Sequence, residues 1–92
     1  MKARISKQVV AHYNRIDQIK TELEEISADL SDLKDEAEAE FDNMSEKWQE
    51  SEKGETEREK IDKIGEAMDG IDTVVSDLED ANNLLDEATG ND

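Results

Sequence analysis

The feature that most constrains this chain is a run of residues in its first half whose spacing alternates between four and three. Ile5, Val9, His12, Ile16, Ile19, Leu23, Ile26, Leu30, Leu33 and Ala37 all fall on it, and only His12 is polar. Such a repeat keeps one stripe of a helix apolar, as in a coiled coil. No proline occurs in the sequence, so nothing removes a backbone donor and breaks the helix. After Ala37 the step is four again, landing on Phe41, then Met44 and Trp48. That reads as a stutter, an inserted residue that locally unwinds a supercoil. A first helix is expected over about residues 3–43.

A second seam runs through Ile61, Ile64, Met68, Ile71, Val75, Leu78, Asn82 and Leu85. Thr56-Glu57-Arg58-Glu59 has the form of a capping box, with Ser51 as a competing start. Gly90 marks the end. These signals give a turn over 44–55, a second helix over about 56–88 and a frayed tail over 89–92. The fold class is therefore all-α, one domain over residues 1–92, an antiparallel coiled-coil-like hairpin. Asn82 within the seam either fixes register, at a cost in stability, or lies where the hairpin frays. Gly65 and Gly70 either admit a neighbouring backbone or are simply tolerated.

One seam makes a thin core for 92 residues of which 34% are hydrophobic, and thin cores commonly need oligomerisation. The second helix also carries Ala67, Val74, Ala81 and Ala88 beside its seam, more than one neighbour can cover. With a turn centred near residue 50, this helix should end opposite residue 11 or 12, leaving Ile5, Val9 and Val10 overhanging. Ile5, Val9, Ala67, Val74, Ala81 and Ala88 are the expected interface of a homodimer, a four-helix bundle. Phe41 and Trp48 are expected to pack the turn.

The formal net charge is −16, and it is unevenly spread. Residues 1–20 hold Lys2, Arg4, Lys7, Arg15 and Lys20 against Asp17, a net +4. An antiparallel hairpin lays this basic start beside Asp77, Glu79, Asp80, Asp86 and Glu87, where cations offset acids at the unfavourable end of their own helix dipole. Residues 22–40 hold nine acids against Lys34, roughly one negative charge per 3 Å of helix. One DNA strand carries a phosphate about every 3.4 Å. Glu22, Glu25, Asp29, Asp32, Asp35 and Glu36 are thus the candidate partner-binding residues, for a protein with a basic nucleic-acid-binding groove. A solvated acidic face that only aids solubility is the plainer alternative. Direct nucleic-acid binding is not expected, because phosphate would be repelled.

Catalysis has little to work with. His12 is the sole histidine and has Val9, not glutamate, three residues before it, which defeats the helical Glu-x-x-His metal pattern. Asp69-Gly70-Ile71-Asp72 lacks the spacing of a calcium loop. No cysteine is present, which excludes disulfides and thiol chemistry. No enzyme, cofactor or metal is expected. The first residues lack the apolar core of a secretory signal and no stretch reaches membrane-spanning length, so the expected location is the cytoplasm.

Around the turn, Phe41-Asp42-Asn43-Met44-Ser45-Glu46, then Gln49 and Ser51-Glu52-Lys53-Gly54-Glu55, resembles a group of small acidic helical proteins encoded by bacteriophages and prophages. The resemblance covers mainly residues 41–55. The chain departs from the group at Ser45, where proline is common, and at Trp48, where leucine is common. It implies a helical hairpin of mobile-element origin acting in a bacterial host's cytoplasm, and no particular activity. Secreted helical hairpins with a Trp-x-Gly turn do not fit, because Trp48-Gln49-Glu50 lacks the glycine. The function expected is a phage-type accessory protein that binds and inhibits a host protein. The alternative is a structural adaptor, a dimeric coiled coil without an inhibitory role.

Overall fold

Two long helices are joined by a third that lasts a single turn. In the computed structural model, which describes residues 1–90, these are α1 (Ala3–Asp42), α2 (Glu46–Gln49) and α3 (Glu52–Thr89). They make an antiparallel hairpin 68 Å long and about 15 Å across.

The reversal is built from side chains that satisfy helix ends. A helix terminus leaves carbonyls or amides without partners. Here the Gln49 side-chain amide donates to the carbonyls of Phe41 (3.1 Å) and Met44 (2.9 Å), closing α1. Ser45 starts α2 by accepting from the Trp48 amide at 3.2 Å. Ser51 starts α3 by accepting from the Gly54 amide at 3.2 Å, while its hydroxyl donates to the Trp48 carbonyl. Phe41 and Trp48 meet edge to face, centroids 5.9 Å apart, and the Arg58 guanidinium lies 5.8 Å from the Phe41 centroid. Gly54 lies so close to α2 that an added Cβ would overlap the carbonyl oxygens of Trp48 and Gln49. The segment expected to be an open turn over 44–55 thus contains a helix. α3 begins at Ser51, because its hydroxyl finds both a donor and an acceptor; the Thr56 capping box lies inside the helix.

This turn fixes how α1 is rotated about its own axis, and the rotation differs from expectation. The α1 residues that face α3 are Ser6, Val9, Tyr13, Ile16, Lys20, Leu23, Ser27, Leu30, Lys34, Ala37 and Phe41, buried or half-buried. Phe41 falls in step with this repeat, so there is no stutter. The expected row of Ile5, His12, Ile19, Ile26 and Leu33 lies one residue aside and is exposed. Counting apolar residues alone aims α1 at its greasiest side. The packing of Phe41 and Gln49 swings it about 50° away, half the 100° turn per residue. The α3 seam is as expected, from Ile61, 2% exposed, through Leu85 to Thr89.

Asn82 is buried within the seam, not frayed. Its side-chain amide donates to the Tyr13 carbonyl of α1 at 3.1 Å, and its Oδ1 has no hydrogen-bond partner. α3 also runs further than expected. Thr89 is still helical and shares a hollow with Met1, Ala3, Ser6 and Val10, so Val9 is half-buried, while Ile5 and Val10 stay exposed at this end. Of the expected tail, residues 91 and 92 lie outside the described residues. Gly65 makes room for the stem of Lys34, whose Cε would lie 3.1 Å from a Cβ there; Gly70 faces open space.

Two substitutions test this framework by urea denaturation. Asn82→Asp replaces the donor to Tyr13 with an unpaired buried carboxylate and should cost about 3 kcal/mol or more, whereas Asn82→Leu should cost nothing or stabilise. Gly54→Ala, although alanine favours helix, should destabilise by about 1–3 kcal/mol because α2 must move.

Candidate functional site

The hairpin has two flanks and an outer side, and the sequence gives each a different chemistry. On α1, a row beginning at Asp17 and Glu24 continues through Ser31 to Glu38, four residues after each polar seam position. On α3 the matching row is Arg58, Gly65, Asp72, Glu79 and Asp86. Antiparallel helices place matching rows on the same flank. Accordingly Ser27 Oγ donates to Asp72 at 3.5 Å, and a shallow cleft is lined by Ser31, Lys34, Asp35, Asp62, Gly65 and Glu66 among others. This flank is acidic. In it the Lys34 ammonium bonds Glu38 at 2.6 Å and holds that carboxyl below the usual carboxylate range, with Arg58 adding to the effect. A lowered pKa gives stability that is present above the ordinary carboxylate value and lost as pH falls through the folded one.

The opposite flank is apolar. Ile19, Ile26 and Leu33 are 46%, 47% and 54% exposed. The same antiparallel geometry sets Ala81, Val74 and Ala67 of α3 level with them, and Ala88 level with His12. Leu84, 65% exposed, extends the patch, and Ile5 begins it. Four of the six residues expected at an oligomer interface are therefore exposed in this row: Ile5, Ala67, Val74 and Ala88. Ala81 is half-buried in it and Val9 is half-buried in the seam. Spacing revealed the α3 half. Ile19, Ile26 and Leu33 were missed as surface because they read as core.

The outer side of α1 carries the candidate partner-binding residues, all exposed. Glu22, Glu25, Asp29, Asp32 and Glu36 step by three and four and form one straight stripe about 21 Å long, turned away from α3. Asp35 lies aside, at the acidic cleft. Upstream the same outer stripe reads Arg4, Gln8, Ala11, Arg15 and Gln18, so its sign changes near the middle of the helix. Among the described residues the three ion pairs, Lys34–Glu38, Arg58–Asp62 and Lys63–Glu66, all lie within one helix. The basic start of α1 does lie beside the acidic end of α3, but among the described residues no ion pair joins Lys2, Arg4, Lys7, Arg15 or Lys20 to it.

Among the described residues no group of three or more histidine or carboxylate side chains is placed to hold a metal ion. No described helix is long and apolar enough to cross a membrane. Phe41 and Trp48 are half-buried and hold the turn together. Gln49, Ser51 and Gly54 of the turn motif, and Ser45 beside them, are likewise engaged in capping and close packing. No family model, no curated protein and no solved structure matches the chain.

With so many like charges and few pairs, repulsion is the main electrostatic force in the isolated chain. Its thermal midpoint should therefore rise with sodium chloride up to roughly 0.5 M, as screening shortens the range of repulsion. A fall would mean that attractive pairs dominate.

Proposed function

We propose that this chain is a non-catalytic binding protein that presents the outer acidic stripe of α1 to a basic partner. The observation that carries the reading is the alignment of Glu22, Glu25, Asp29, Asp32 and Glu36 on one straight, exposed helix side. A rod of fixed carboxylates suits a cationic groove that ordinarily receives nucleic acid. The groove's charges meet the stripe together, without the entropy cost of ordering a loop. Together with the turn motif, this supports a phage-type accessory protein that blocks a host nucleic-acid-handling or defence protein in the bacterial cytoplasm. The unit that binds is a homodimer, a four-helix bundle in which Ile5, Val9, Ala67, Val74, Ala81 and Ala88 are shielded. A purely structural adaptor would need the apolar flank and make no use of the stripe, which is the difference the test exploits.

The test replaces Asp29, Asp32, Asp35 and Glu36 by Asn or Gln, checks helicity by circular dichroism, and measures association with the basic protein that the parent chain captures. Asp35 is included as the flanking charge. The variant should stay helical and lose at least tenfold in association rate, with dissociation little changed, since steering acts on encounter. Parent binding should weaken with salt. Unchanged, salt-insensitive association would assign the stripe to solubility.

A further inference from the structure

Resting on the dimeric reading above, we infer that two copies pair through their apolar flanks with the turns at opposite ends, α1 against α1 and α3 against α3. Surface area asks for a partner of some kind. The hairpin exposes 6993 Å², whereas a compact monomer of its 10.4 kDa mass exposes about 5,400 Å². The excess is roughly 1,600 Å², and a standard interface needs about 800 Å² from each partner. The apolar flank is where that surface can be withdrawn, since it runs from Ile5 to Leu33 on one helix and from Ala67 to Ala88 on the other.

The shape of the flank suits a second copy. The apolar residues of α1 form the seam row Val9, Ile16, Leu23, Leu30 and the exposed row Ile5, Ile19, Ile26, Leu33. The line midway between the rows points neither at α3 nor at solvent, but diagonally, toward the axis of a bundle that a second hairpin would complete. Ile19 and Leu33 on α1 stand level with the small Ala81 and Ala67 on α3, and Ile26 with Val74, so each copy offers ridges beside hollows.

Charge decides the orientation. A two-fold contact is isologous, so whatever residue i meets, its counterpart meets in return. With both turns at the same end, each α1 would lie on the partner's α3. The acidic span 22–40, nine acids against one lysine, would then face residues 59–77, six acids against two bases. This repulsion outweighs the attraction of residues 1–20, net +4, for residues 79–89, four acids and no base. With turns at opposite ends, α1 lies antiparallel to itself, and residues 1–20, net +4, face the partner's residues 22–40. That attraction is made twice. The cost is α3 on α3, where residues 52–70, net −3, face residues 71–89, six acids and no base. The products of these charges favour opposite ends. The pairing also brings acids of the partner's α1 to Lys2, Arg4, Lys7 and Arg15, while Glu25 and Asp32 stay outermost.

The absence of native cysteine allows single labels at Lys47→Cys, in the turn, and Lys2→Cys, at the open end, both exposed. Sedimentation equilibrium of the parent at micromolar concentration should give the mass of two chains. Mixing donor-labelled Lys47→Cys with acceptor-labelled Lys2→Cys should give efficient energy transfer, and turn-to-turn mixtures little. Efficient turn-to-turn transfer would overturn the orientation and leave the dimer. The mass of one chain would overturn the dimer and leave the acidic-stripe reading standing. Ile26→Glu, at a site nearly half exposed in the single hairpin, should abolish the two-chain species while helicity persists. A dimer unaffected by it would remove the flank from the interface.

Discussion

A helix can turn only one side to a single neighbour, and α1 has more apolar surface than one side holds. The rest of the structure follows from how that conflict is resolved. Phe41, packed on Trp48 beneath Arg58, and Gln49, bonded to two α1 carbonyls, fix the rotation of α1 at the turn. The helix is stiff, so the rotation set at residue 41 holds along its length. The seam consequently receives Ser6, Lys20, Ser27 and Lys34, while Ile19, Ile26 and Leu33 are left outside. In isolation this is poor economy, because burying an aliphatic side chain stabilises by about 1.5–3 kcal/mol. It becomes sensible if the flank has a second occupant.

The polar residues of the seam serve definition more than stability. Lys34 can lie there because Gly65 leaves room for its stem and Glu38 holds its ammonium. Asn82 reaches the backbone of α1 and leaves its own oxygen unsatisfied. An asparagine so placed disfavours any slipped register, in which its amide would lose the Tyr13 carbonyl. Two long, repetitive helices need such a peg, since shifts by a heptad would otherwise bury similar residues. The short helix α2 sets the register from one end and Asn82 sets it near the other.

Much of this was legible in the sequence. The α3 seam was read residue for residue, since Ile61, Met68, Val75 and Leu78 have no competing apolar row of equal size. The helix ends near Asp42 and Thr89 were also within reach of spacing and glycine signals. The α1 seam was half legible: Val9, Ile16, Leu23, Leu30 and Ala37 belong to both possible rotations, and nothing local distinguishes Ile19 from Lys20 as the inward residue. The available clue was Phe41, which broke the apolar repeat but fits the true one. The roles of Gln49 and Gly54 depend on a tertiary reversal that no periodicity encodes. The acidic residues of the outer stripe were picked out as a set, although Asp35 lies off the line of the others and turns toward the cleft.

The claim that joins these observations is that the apolar flank of the hairpin is completed by a second copy lying alongside. Small-angle X-ray scattering tests it in solution, because mass and length are read from one curve. A side-by-side pair should give the forward scattering of two chains with a longest dimension close to the 68 Å of one hairpin. Forward scattering of a single chain, with a radius of gyration near 20.4 Å, would contradict it. So would a two-chain particle approaching twice that length, which would place the contact at the hairpin ends.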